Sequence, residues 1–143
     1  MTLEVPAEEM EAFLDEVFPQ VKGMFGIDHL DEDRLVMRLH SNEQHLRPGG
    51  TVSGPAMFSL ADVAAYVATM SRIGKEALAV TTNCSIDFMR KPVAGADVIA
   101  HAKVLKLGRA LSVTDVLLYS DGQPEPVARA TLTYSIPPAR DAV

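Results

Sequence analysis

The stretch 48–71 constrains this chain more than any other: its twenty-four residues carry a single charge, Asp62. Its centre reads G-P-A-M-F-S-L-A-D-V-A-A-Y-V-A-T-M. Ser53-Gly54-Pro55 is a helix entry, with a serine cap and a proline in the first turn, where no N–H is needed. Gly74 is the matching stop, so a helix of about twenty residues, on the order of 30 Å long, is predicted over 54–73. A helix that is apolar nearly all round must be covered on most sides. Asp62 is costly in such surroundings unless it is paired, hydrated or put to use. Positions 58, 59, 65 and 66, one turn away, hold no Lys or Arg. Asp62 is therefore the first candidate for a functional group.

The cover has to come from the rest of the chain. At 143 residues there is enough sequence for one domain with a core of its own. Pro6 and the acidic turn after it open an amphipathic helix, predicted over about 6–21, with Met10, Phe13, Leu14, Val17 and Phe18 on one face. Two strands are expected at 25–30 and 34–39. Four more follow the long helix at about 79–90, 96–107, 110–120 and 126–136, separated by K-P-V-A-G, L-G-R and D-G-Q-P-E-P. The expected class is α+β, an antiparallel sheet of about six strands wrapped on one central helix. One sheet and one thin helix look like too little cover, so a homo-oligomer is expected to bury the remainder and protect the sheet edges.

Composition narrows the function. A net charge of -6 argues against a nucleic-acid binder and against adhesion to anionic membranes. The lone Cys84 excludes an intramolecular disulfide, and His29, His40, His45 and His101 have no metal-ligand spacing, so neither a metal nor another cofactor is expected. The acidic N-terminus is unlike a signal peptide, and Gly54, Pro55, Asp62 and Arg72 interrupt the apolar run, so a cytoplasmic protein is expected. Cys84 alternates with Ile86 and Phe88 on what reads as an apolar strand face, which makes it core rather than nucleophile. Asp87, with Asn83 and Ser85, belongs on the polar face.

Ser59, Asp62, Tyr66 and Thr69 form one polar stripe on the long helix, spaced three, four and three apart. With one charge and no Lys, Arg or Glu, the stripe suits a pocket or an interface better than a solvent face. Gly54 sits in the first helical turn, where free N–H groups and the helix dipole can polarise a carbonyl. A carboxylate two turns on could act on that carbonyl carbon, directly or through water. On spacing alone this is a weak signal.

R-P-G-G-T-V-S-G-P followed by A-M-F-S-L-A-D, residues 47–62, resembles the signature of the hotdog-fold acyl-CoA thioesterases of the phenylacetyl-CoA and hydroxybenzoyl-CoA type. S-I-D-F-M-R-K-P-V-A-G-A-D-V, L-K-L-G-R-A-L and V-A-R-A-T-L-T-Y are similar to that family's later strands. The resemblance spans about residues 22–136 and implies a hotdog fold, an acyl-CoA substrate and at least a homodimer, with a homotetramer also open. It matches Asp62 to the catalytic carboxylate and Gly54 to the glycine whose N–H polarises the thioester carbonyl. The chain departs from the signature at Arg47, Ser53 and Pro55, where the family often has Asn, His and a second Gly. Pro55 has no N–H to give, so the oxyanion site is expected to rest on Gly54 and Ala56. Ser53 can bond water or substrate but cannot store a proton near neutral pH as His does.

Arg90, Lys91, Lys106 and Arg109, at strand ends and turns, are candidate contacts for the CoA phosphates, with Arg47, Ser59 and Tyr66 as further substrate-binding candidates. The expected activity is hydrolysis of an acyl-CoA thioester. The alternatives are a hotdog protein that binds acyl-CoA without turnover and, third, an acyl-thioester dehydratase or hydratase, for which no His lies near Asp62 in sequence.

Overall fold

The computed structural model describes residues 2–138. In chain order it contains α1 (Ala7–Val17), β1 (Phe25–Leu30), β2 (Leu35–Leu39), α2 (Gly54–Ile73), β3 (Val80–Phe88), β4 (Val98–Leu107), β5 (Leu111–Ser120) and β6 (Pro126–Ser135). The strands form one antiparallel sheet in the order β1-β2-β4-β5-β6-β3. The chain thus crosses the sheet after β2, and α2 fills the concave side that the crossover creates.

Local chemistry sets both ends of α2. Ser53 caps it, its Oγ accepting from the Ala56 N–H at 3.2 Å. Gly74 ends it at φ 102°, a conformation that costs little only for glycine, while its N–H donates to the Met70 carbonyl at 2.8 Å. Between these ends, 14 of 20 residues are buried. The sheet and α1 of a single chain therefore cover most of this helix, more than its apolar circumference suggested. The sheet's curvature brings inward rows from β2, β4, β5 and β6 onto it. Leu60 lies at the centre of this contact and is fully buried. Leu60→Ala is expected to lower unfolding free energy by about 2–5 kcal/mol, read as a lower denaturant midpoint with unchanged slope.

α1 is shorter than the expected 6–21. Pro19 excludes further α-helix and pushes the residue before it out of the helical region, so Phe18 turns away at φ -130°, ψ 59° and a short 3-10 turn follows at Pro19–Val21. Met10 and Leu14 are the positions α1 buries.

Among the described residues β3 pairs as a strand only with β6, and its other edge is open. Phe88, expected inside, is half exposed, because β3 runs past the rim of the core rather than across it. Leu78, Val80, Phe88 and Met89, along with Phe58 of α2, leave a row of apolar groups exposed on this side. Cys84 is half-buried on the inward side, and burial and then the charge of Asp62 push its thiol pKa up, as suits an unreactive thiol. Asp87 faces outward beside Arg129.

Candidate active site

The first turn of α2 has one uncommitted donor. Ala56 N–H goes to Ser53 Oγ, Met57 N–H to the Ser53 carbonyl, and Pro55 has none. Gly54 N–H has no partner among the described residues. The expectation that Ala56 shares the oxyanion role is thus corrected: its proton is taken by the cap. Ser53 serves the site by fixing the helix start. Gly54 opens on a cleft of about 440 Å³ that Phe88, Arg47, Arg90 and Lys91 also line. The Phe88 ring comes so near that a carbon attached to Gly54 would lie 3.4 Å from its Cζ.

Asp62 faces a second cleft, of about 250 Å³. Its Oδ1 accepts from Thr81 Oγ1 at 2.5 Å and lies 2.8 Å from the Tyr134 hydroxyl. The same hydroxyl is 2.9 Å from the Asp62 carbonyl oxygen, so its one proton is shared between two acceptors. Thr81 and Tyr134 are direct cross-strand partners in the β3–β6 register, which is why two hydroxyls converge on one oxygen. Burial, then the negative charge of Asp62, push the Tyr134 pKa far up, so this phenol stays a donor at any working pH. Tyr66 stacks on Tyr134 with ring centres 5.8 Å apart and planes 18° from parallel, and its hydroxyl donates to the Ala77 carbonyl at 2.7 Å. Asp62 is thereby immobilised through Oδ1 and keeps Oδ2 for chemistry.

Known proteins share this fold. A family model described as the thioesterase superfamily matches residues 49–127. The chain belongs to the thioesterase superfamily. A candidate thioesterase from Silicibacter sp. TM1040 is 56% identical, with 96% of each chain covered and a TM-score of 0.91. The phenylacetic acid degradation protein PaaI of Thermus thermophilus, solved as a point mutant, is 30% identical over 82% of this chain and 98% of its own, at a TM-score of 0.70. Zebrafish thioesterase superfamily member 2, at 22% identity, shares the fold, with 94% of this chain and 100% of that one covered at a TM-score of 0.82. A search of curated proteins finds no match. The architecture is the hotdog fold, as the residues of 47–62 led us to expect.

In this thioesterase-superfamily chain, Gly54 and Asp62 do not meet. Eight residues of α-helix separate them by about 12 Å along the axis, and they open on different clefts. A carbonyl bonded to the Gly54 amide, with its carbon in reach of a carboxylate, spans little more than half that distance at near-attack separations of about 3 Å. Within one chain the two expected site residues are thus set apart along α2. Of the other candidates, Arg47, Arg90 and Lys91 join Gly54, and Tyr66 joins Asp62. Arg90 is partly engaged, donating to the Pro126 carbonyl at 2.8 Å and pairing with Glu125 at 3.1 Å. Ser59 is half-buried and lines neither cleft, and Lys106 and Arg109 are exposed and line neither. Thr69, the last member of the polar stripe, is fully buried and bonded to Ser112 at 3.0 Å.

Thr81 and Tyr134 were missed. A signal existed for the second: period-2 alternation puts Tyr134 on the inward face with Ala130 and Leu132, and a buried phenol requires a partner. Tyr134→Phe keeps the stack on Tyr66 and removes one donor from Asp62. It is expected to lower kcat about 10- to 100-fold with KM little changed, the worth of one hydrogen bond to a charged group. Steady-state thioester kinetics check it, and an unaltered kcat removes Tyr134 from the site.

Proposed function

We propose that this protein hydrolyses an acyl-CoA thioester to the free acid and CoA, at a site made of Asp62 from one copy of the chain and Gly54 from another. The observation that carries the reading is Asp62 itself: a carboxylate tied through one oxygen to Thr81 and Tyr134, its other oxygen free, in a cleft of a thioesterase-superfamily fold. The Gly54 N–H, at the positive end of the α2 dipole, supplies what a thioester needs at its carbonyl oxygen.

The rise of α2 between Gly54 and Asp62 favours a site shared by two copies, and β3 offers a way to join them. Its open edge runs from Thr81, beside Asp62, to Phe88, beside Gly54. Two such edges paired across a two-fold axis are antiparallel, so the Thr81 end of one lies against the Phe88 end of the other. Each Asp62 then has the other copy's Gly54 as its neighbour, and the exposed Val80 and Phe88 are covered. A homodimer is the smallest such assembly, and a homotetramer built from two dimers keeps the same sites.

Arg47, Arg90 and Lys91 at the mouth of the Gly54 cleft suit the phosphates of CoA, as charge complementarity in a protein of net charge -6 requires local cations. Ser59, Lys106 and Arg109 have no assigned contact in this site. The chemistry has two balanced courses. Asp62 Oδ2 attacks the carbonyl carbon, the C–S bond breaks, CoA leaves as the thiolate, and water cleaves the resulting anhydride. Alternatively Oδ2 takes a proton from water, whose oxygen attacks the same carbon; the C–S bond of the tetrahedral intermediate then breaks and Asp62 returns the proton to the departing CoA thiolate. Label found in Asp62 after a single turnover in heavy-oxygen water shows the first course, with water entering at the aspartyl carbon of the anhydride. No helix of the described residues is long and apolar enough to cross a membrane, and a cytoplasmic setting belongs to the same proposal.

Thiol release from a panel of short, long and aromatic acyl-CoA esters tests the function. Release that disappears with Asp62→Ala supports it. Saturable binding without release from any ester would replace it with a non-catalytic acyl-CoA-binding protein.

A further inference from the structure

Val17, the last residue of α1, and Phe18, just after it, line the cleft that Asp62 faces. The stacked rings of Tyr66 and Tyr134, together with Ala77 and Ala79, line the same cleft. The alanines leave room on one side. Tyr66 cannot swing aside to lengthen the cleft without breaking its hydrogen bond to the Ala77 carbonyl.

The end wall is itself held in place. Met10 is fully buried and Leu14 nearly so. Glu9 pairs with Lys75, just past α2, at 2.7 Å, and the Ile27 N–H donates to Glu11 at 2.8 Å. Ahead of α1, the N–H groups of Glu4 and Val5 both donate to the Ser71 carbonyl. Pro19 then fixes where the helix stops, so Phe18 is presented at a set position rather than on a free tail. A volume of about 250 Å³ is below the roughly 300 Å³ at which small-molecule pockets ordinarily begin.

We propose that Phe18, with Val17 beside it, is the specificity-determining end wall of the acyl pocket, limiting this protein to compact acyl groups. The inference rests on the thioester reading of the same cleft. An α-helix outside the matched family segment 49–127 would then set the substrate range of a site whose chemistry lies within it.

The test measures kcat/KM for acetyl-, butyryl-, hexanoyl-, benzoyl-, decanoyl- and palmitoyl-CoA in the wild type, Phe18→Ala and Phe18→Trp. The wild type is expected to fall at least about 10-fold between hexanoyl and decanoyl, the scale on which a pocket discriminates hydrocarbon it cannot house. Phe18→Ala should raise the decanoyl-to-acetyl ratio of kcat/KM about 10-fold, and Phe18→Trp should move the fall-off to shorter chains. The same esters are titrated calorimetrically into Asp62→Asn with and without Phe18→Ala, so that chain-length preference is read without turnover. A preference that Phe18→Ala shifts, in a wild type that releases no thiol, would keep the wall and overturn hydrolysis. Turnover or binding that changes by one common factor for every ester would overturn the wall.

Discussion

Asp62→Asn is expected to reduce thioester turnover by about 10³-fold or more, with the protein still folded. The amide keeps an oxygen for the Thr81 and Tyr134 hydroxyls, so the anchor at Oδ1 is preserved. What it replaces is the free oxygen, leaving neither a nucleophile nor a base. Asp62 is only half-buried, and neutralising it removes no ion pair among the described residues. Its denaturant midpoint should therefore stay near the wild type. Near-normal turnover in Asp62→Asn would remove the carboxylate from the mechanism. A loss of turnover matched by a loss of fold would make Asp62 structural.

Gly54→Pro should be nearly as severe, and it isolates a backbone group that side-chain mutagenesis usually leaves untouched. Position 54 is the first residue of α2, where the helix makes no use of an N–H and tolerates proline. The residue before it, Ser53, already has the extended geometry that a following proline demands, at φ -76° and ψ 159°. The substitution deletes the one donor of the helix start that is uncommitted among the described residues; because Pro55 follows position 54, an unchanged denaturant midpoint is the check that the helix start survives. Loss of one oxyanion donor costs about 10²–10³-fold in kcat. Gly54→Ala is the control: it keeps the N–H, and its methyl meets Phe88 at ordinary contact distance, 3.4 Å. Alanine should retain most of the activity that proline abolishes. Equal losses in both variants would assign the effect to crowding under Phe88 instead.

The fold was legible because its signals are local. Ser53, Pro55 and Gly74 mark α2 to the residue, and the turn residues between β3, β4, β5 and β6 divide the second half of the chain into strands. α1 was drawn too long because its apolar spacing continues through Phe18, and the stop comes from Pro19, a single residue that periodicity ignores. Phe88 was placed inside because alternation gives a face and not a depth, and β3 lies at the rim. Asp62 stood out as the one charge in an apolar helix. Its partners did not: Thr81 and Tyr134 are 53 residues apart in sequence, and only the β3–β6 register brings them to the same carboxylate oxygen. Nor can a list of motif residues show that Gly54 and Asp62 face different clefts, since that follows from the rise of the helix between them.

A shared site has a consequence that no single variant exposes. Gly54→Pro and Asp62→Asn are each inactive alone, and the measurement is thiol release after the two are unfolded together at equal concentration and refolded. In a mixed dimer one site receives both defects, and the other receives an intact Gly54 from one chain and an intact Asp62 from its partner. Random pairing predicts recovery of about a quarter of wild-type activity. Activity that stays at the sum of the two separate variants would contradict a site built from two copies.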